Sequence, residues 1–138
     1  MWKLYALLSA FFAALTAIFA KLGVRNIDSD LATAIRTSVI LALTWGIVWA
    51  GGKLQPLRTI GMNTWIFLIL SGLATGLSWL FYFNALQLGE ASKVAPLDKL
   101  SVVFTIILAV IILKEPLTLR VAIGASLITA GGIVLMWR

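Results

Sequence analysis

Five long apolar runs occupy almost the entire chain, and only short polar breaks separate them. They cover residues 4–20, 31–50, 65–86, 94–113 and 117–137. A helix needs about 20 predominantly apolar residues to cross the hydrocarbon of a bilayer, where only helices and closed barrels satisfy their own backbone. The pattern predicts an all-α integral membrane protein with five transmembrane helices. An odd number of spans sets the two termini on opposite faces. It also leaves almost no chain for a soluble domain, so residues 1–138 are expected to form one transmembrane domain.

Composition narrows the chemistry. The chain has no Cys and no His, which removes disulfides, thiolate and imidazole metal ligands and the commonest general base. Its five carboxylates are scattered, with no pair at zinc-ligand spacing. No nucleophile–base constellation can be assembled, so the expectation is a protein that is not an enzyme and needs no metal or cofactor. The net charge of +6 would suggest nucleic acid in a soluble protein. Here most basic residues flank apolar runs, which reads as membrane anchoring, and nucleic acid is not an expected partner. The first run follows Lys3 as a signal peptide would, but its length exceeds the ~7–15 residues of an h-region and Lys21 follows it directly. It is read as a retained span.

The breaks carry their own signals. Asp28, Ser29 and Asp30 are N-cap candidates for the second helix. Gly51-Gly52 stops that helix, Pro56 lies in the loop beyond, and Gly89 closes the third run. Glu115-Pro116-Leu117-Thr118 is a tight turn opening the fifth helix, with Pro or Thr in its first turn. Lys3, Lys53, Arg58, Lys114 and Arg120 fall on the face of the N-terminus, and Lys21, Arg25, Lys93 and Arg138 on the other. This near-tie leans toward a cytoplasmic N-terminus and equally permits dual topology, with copies inserted both ways up.

Polar residues recur inside the spans at helical spacing. Ser71, Thr75, Ser78 and Tyr82 form one stripe; Thr33, Arg36, Thr37 and Thr44 another; Asp98, Ser101 and Thr105 a third. Ser9 and Thr16 in the first run and Ser126 and Thr129 in the fifth are further candidates. Facing one another, the stripes would outline a polar cavity; alternatively each hydroxyl bonds the carbonyl four residues back and packs as a small group. Charges are the sharper signal, because a charge at the bilayer centre costs at least ~2.5–3.5 kcal/mol and usually faces protein or water. Arg36 lies ~9 Å of helix rise into the second run, and Asp98 and Lys99 a similar distance into the fourth. Both runs enter from the same face, so Arg36 and Asp98 are expected at matching depth, with Asn84 near that level. The bland alternative starts the fourth helix at Pro96, leaving Asp98 in a first turn favoured by the helix dipole, while Arg36 snorkels.

Glycines and aromatics complete the inventory. Gly72 and Gly76 form a GxxxG, and Gly124, Gly131 and Gly132 mark the fifth run; these are the expected helix-packing positions. Trp2, Trp65 and Trp137 fit the interfacial belt. Trp79, Tyr82 and Phe83 lie deeper and adjoin the third run's polar stripe, as cavity lining or as packing.

The stretch from Trp79 to Leu135 resembles the EamA domain of the drug/metabolite transporter superfamily. The resemblance is carried by the aromatic-rich end of the third run, Ala85-Leu86, Leu88-Gly89, Ala91-Ser92 and the Val94-Ala95-Pro96-Leu97 entry. It continues through Lys114-Glu115, Leu117-Thr118, Gly124 and Gly131-Gly132, and the opening YALLSAFFAALTAIFAKLGV fits the family's first helix. Typical members are similar to a doubled version of this chain, with ten helices in two inverted five-helix repeats. The resemblance thus implies that the five helices form one half-repeat of a ten-helix inverted-repeat transporter. It implies a carrier of small organic molecules, frequently an exporter, in a bacterial or archaeal cytoplasmic membrane. Two identical chains would complete the fold if one inserts upside down, making an antiparallel homodimer. The small multidrug resistance proteins of the same superfamily depend on a Glu in their first helix. Here the first run has no acidic residue between Lys3 and Lys21, which argues against that proton-coupled drug antiport and leaves Asp98 as the candidate for proton work.

The leading expectation is a secondary transporter working by alternating access. Arg36 and Lys99 would hold a substrate carboxylate or phosphate, Asp98 would pair with Arg36 in the empty state, and Asn84, Tyr82 and Trp79 would line the path. The alternative is a non-transporting membrane subunit that packs with a partner in a larger complex.

Overall fold

A computed structural model describes residues 1–54 and 59–137. Pro56 and the topology charges Arg58 and Arg138 lie outside the described residues. The regular elements among the described residues are all helices: α1 (Trp2–Gly23), α2 (Ser29–Ala50), α3 (Met62–Leu88), α4 (Ala91–Asp98), α5 (Ser101–Ile112) and α6 (Leu119–Met136), with a 3-10 turn at Val24–Asn26 after α1. Five spans are long and apolar enough to cross a membrane, α4 and α5 together making the fourth. Large apolar side chains such as Phe81, Trp49 and Leu127 stand exposed on them, as lipid-facing residues do.

The sequence signals act where expected at both ends of α2, and one residue off at the start of α6. Asp28 caps α2, its carboxylate accepting from the Asp30 and Leu31 amides at 2.9 and 3.2 Å. At the other end of α2, Gly52 takes φ +61. The Gly52 amide donates to Trp49 O and the Lys53 amide to Val48 O, both at 3.1 Å, which satisfies carbonyls of the last turn. Thr118 caps α6, its hydroxyl oxygen accepting from the Val121 amide. It stands before the helix rather than inside the first turn.

The fourth span departs from the bland alternative, in which Pro96 opens the helix. Helix α4 begins at Ala91, so Pro96 is an interior residue rather than the opening one, and Asp98 ends α4 instead of beginning a helix. Proline has no amide to donate to Ser92 O and its ring crowds that carbonyl, and the helix ends within a turn after it. The ladder tightens to three-residue spacing, with Lys99 N–H donating to Pro96 O at 3.1 Å and Leu100 N–H to Leu97 O at 3.0 Å. Helix α5 restarts at Ser101. The dipole argument for Asp98 therefore reverses for α4, whose negative end it occupies; only the start of α5 favours its charge.

Contacts gather in two compact units. One comprises Met1–Ile18 with Gly89–Arg138, and within it α6 packs on both α4 and α5. Gly132 is the close approach: a Cβ there would lie 3.2 Å from Leu100 Cδ2. The other unit is Phe19–Leu88, where α2 packs on α3 and the 3-10 turn abuts the end of α3. Its most buried residues are Val24, Leu86, Phe83 and Ser29, at 1%, 0%, 2% and 3% exposure. Of the expected packing glycines, Gly72, Gly76, Gly124 and Gly131 have no atom of their own unit within 4 Å of a built Cβ. Within the units the packing glycine is Gly132.

Candidate functional site

Within the Phe19–Leu88 unit, polar groups collect where α2 begins and α3 ends. The end of a helix leaves carbonyls without intrahelical donors, and here side chains supply them. Lys21 donates its ammonium to Leu86 O, a cation at a helix C-terminus as the dipole favours. Gln87 donates to Ile27 O at 3.1 Å and Val24 O at 3.4 Å. The buried Ser29 hydroxyl donates to Asn84 Oδ1 at 2.9 Å, while Asn84 Nδ2 donates to Leu80 O at 3.0 Å. Asn84 is thus a strut between α2 and α3, its amide engaged at both ends.

Two turns further into α2, Arg36 lies over aromatic rings of α3. Its guanidinium carbon is 4.0 Å from the Trp79 ring centroid and 5.4 Å from that of Phe83, well inside the ~6 Å reach of a cation–π contact. The positions follow from helical spacing: residues 79 and 83 are one turn apart and share a face of α3. Tyr82 meets Phe83 edge to face, with centroids 6.4 Å apart. Among the described residues of this unit, Arg36 makes no hydrogen bond or ion pair.

The other expected site residues fall in the Met1–Ile18 and Gly89–Arg138 unit. Asp98 and Lys99 stand at the break between α4 and α5, with Lys99 Nζ 3.6 Å from Asp98 Oδ2. The structure therefore brings Arg36 together with Trp79, and Asp98 together with Lys99, each pair inside its own unit.

Most of the intramembrane hydroxyls take the bland role. Thr33, Thr37, Thr44, Thr75, Thr105, Ser126 and Thr129 each donate to the carbonyl four residues back, at 2.8 to 2.9 Å. Sequence reasoning missed the latch made by Lys21, Ser29 and Gln87. Lys21 counts there as a topology charge and Ser29 as a cap candidate. Phe83 is visible only as one of several deep aromatics, although its spacing from Trp79 marks the shared face.

Five apolar spans, a guanidinium seated on rings within one of them and a charged break in another define a polytopic α-helical membrane protein with polar groups held inside its spans. The model of the EamA-like transporter family matches residues 1–137, and the chain belongs to that family. It is also similar to a Sinorhizobium sp protein named "Uncharacterized transporter in cobO 3'region", with 56% identity over 134 residues covering 97% of this chain and 95% of that relative. No solved structure matches the chain. The protein is an integral membrane transporter.

Proposed function

We propose that this chain is a secondary transporter, working as an exporter of small organic metabolites by alternating access, and that its unit of function is an antiparallel homodimer in a bacterial cytoplasmic membrane. The observation that carries the reading is the interrupted fourth span. Helix breaks inside membrane spans are tolerated where they line a cavity or meet a ligand, and transporters bind substrates and coupling ions at such points. Here the break holds an acid and a base side by side, Asp98 and Lys99. Asp98 is the group that carries a coupling proton, and Lys99 is the neighbouring counter-charge, 3.6 Å away. Asn84 holds α2 and α3 in register within its own unit. The chain has the five spans of a single repeat, so a second copy in the opposite orientation supplies the inverted half.

The test uses the purified chain alone in proteoliposomes, with flux of labelled amino acids and organic acids measured under an imposed pH gradient. Wild-type chain is expected to drive accumulation that collapses when the gradient is dissipated. Asp98→Asn, which keeps shape and removes the titrating group, is expected to abolish gradient-driven accumulation. Gradient-driven flux equal to wild type in Asp98→Asn would sink the coupling role. Absence of any flux from wild-type chain would favour the non-transporting subunit instead.

A further inference from the structure

We infer that Arg36, seated on Trp79 and Phe83, is a binding site for the carboxylate of a singly charged organic acid with a flat apolar body. The transport role of this site rests on the proposed function; the binding does not. Three features of the α2–α3 pair carry the argument. First, the guanidinium lies within the membrane span α2 and, among the described residues of its unit, makes neither hydrogen bond nor ion pair; it meets rings at 4.0 and 5.4 Å and interacts electrostatically with Tyr82. A charge at that depth calls for a counter-charge or water, and ring faces offer only a partial one. Second, a Cζ–centroid distance of 4.0 Å fits a guanidinium laid flat on the Trp79 ring, an arrangement that leaves its edge, where the N–H groups point. That edge matches the two oxygens of a carboxylate. Third, polar groups at the nearby α2–α3 junction are engaged elsewhere. Asn84 spends its amide on Ser29 and Leu80, and Lys21 donates to the Leu86 carbonyl. One guanidinium then balances one negative charge. A phosphate near −2 would leave an excess charge in a medium where uncompensated charge is costly. Trp79 and Phe83 are the positioning residues: they hold the guanidinium plane, and their rings extend the seat as an apolar wall for the body of the acid.

The probes are phenylacetate, its neutral isostere phenylacetamide, and phenyl phosphate. Binding to the purified full-length chain in detergent is followed by calorimetry, with the phospholipid content of the sample varied. Phenylacetate is expected to bind saturably and phenylacetamide at least 10-fold more weakly, since a charge-assisted bidentate pair is worth roughly 10- to 100-fold. Phenyl phosphate is expected to bind more weakly than phenylacetate at pH 7.5. Arg36→Lys keeps the charge but loses the planar edge and is expected to weaken phenylacetate by about 10-fold. Trp79→Leu leaves the cation unpositioned and is expected to weaken it while leaving the phenylacetate preference over phenylacetamide in place. Equal binding of acid and amide by wild-type chain overturns the proposal without requiring any variant to fold. So does tighter binding of phenyl phosphate, or loss of phenylacetate binding in proportion to added phospholipid, which would make the seat a lipid headgroup site. Saturable binding with the expected order, but no flux in proteoliposomes, upholds the site and defeats the transport reading.

Discussion

Gly132→Leu is the substitution whose effect the packing specifies most sharply. A Cβ at position 132 would stand 3.2 Å from Leu100 Cδ2 and 3.6 Å from Leu100 Cγ, against the 3.5–4.0 Å at which carbon atoms attract best. Alanine therefore asks Leu100 to shift by a few tenths of an ångström, and the gain of ~0.8–1.0 kcal/mol in helix propensity over glycine roughly cancels the crowding. Leucine adds three more carbons where the Leu100 side chain already lies. Overpacking of that kind costs about 1–3 kcal/mol. Gly131, one residue away, has open space at its Cβ within its unit, so Gly131→Leu should be neutral or gain up to ~0.8 kcal/mol in helix propensity. Adding Leu100→Ala to Gly132→Leu empties the contested volume and should restore much of the loss, with a coupling of about 0.5–3 kcal/mol. Unfolding in mixed micelles with rising SDS, followed by tryptophan fluorescence, measures all four variants. The reasoning fails if leucine at 131 and at 132 destabilise equally, or if Leu100→Ala brings no recovery.

Two further expectations concern helix ends. Asp28→Ala removes the acceptor for the Asp30 and Leu31 amides and should cost about 0.5–2 kcal/mol in the same SDS titration. Lys21→Met keeps the apolar stem but leaves the fully buried Leu86 without the ammonium on its carbonyl. It should cost about 1–3 kcal/mol, and hydrogen exchange should rise in the last turn of α3 rather than at its start.

How far the sequence reveals this molecule depends on the range of the interaction. Five spans follow from run length alone, because the bilayer imposes that length on any helix that crosses it. The cap at Asp28 and the stop at Gly51-Gly52 are equally local and stand where they are expected. Pro96 leaves two readings open because two positions for it obey the same local rule: at a helix start it costs nothing, and inside a helix it breaks the ladder. The choice is made by Glu90 and Ala91, where α4 starts one and a half turns earlier. The latch at the end of α3 is harder still. Lys21 and Leu86 are far apart in sequence, and the acceptor is a backbone carbonyl, which no residue type advertises. Arg36 was legible as an intramembrane charge, and Trp79 as a deep aromatic. Their union is a matter of facing helices, which composition and spacing constrain without specifying.

The central claim, a carrier completed by an inverted second copy, is tested most directly by the sidedness of one loop. The chain has no native cysteine, so Lys114→Cys, between α5 and α6, gives a single reactive thiol without further engineering. Labelling whole cells with a membrane-impermeant maleimide, before and after permeabilisation, counts the fraction of that loop on each face. About half of the chains should react from outside in intact cells, and all of them after permeabilisation. Reaction of all chains from one side only would contradict the inverted pair.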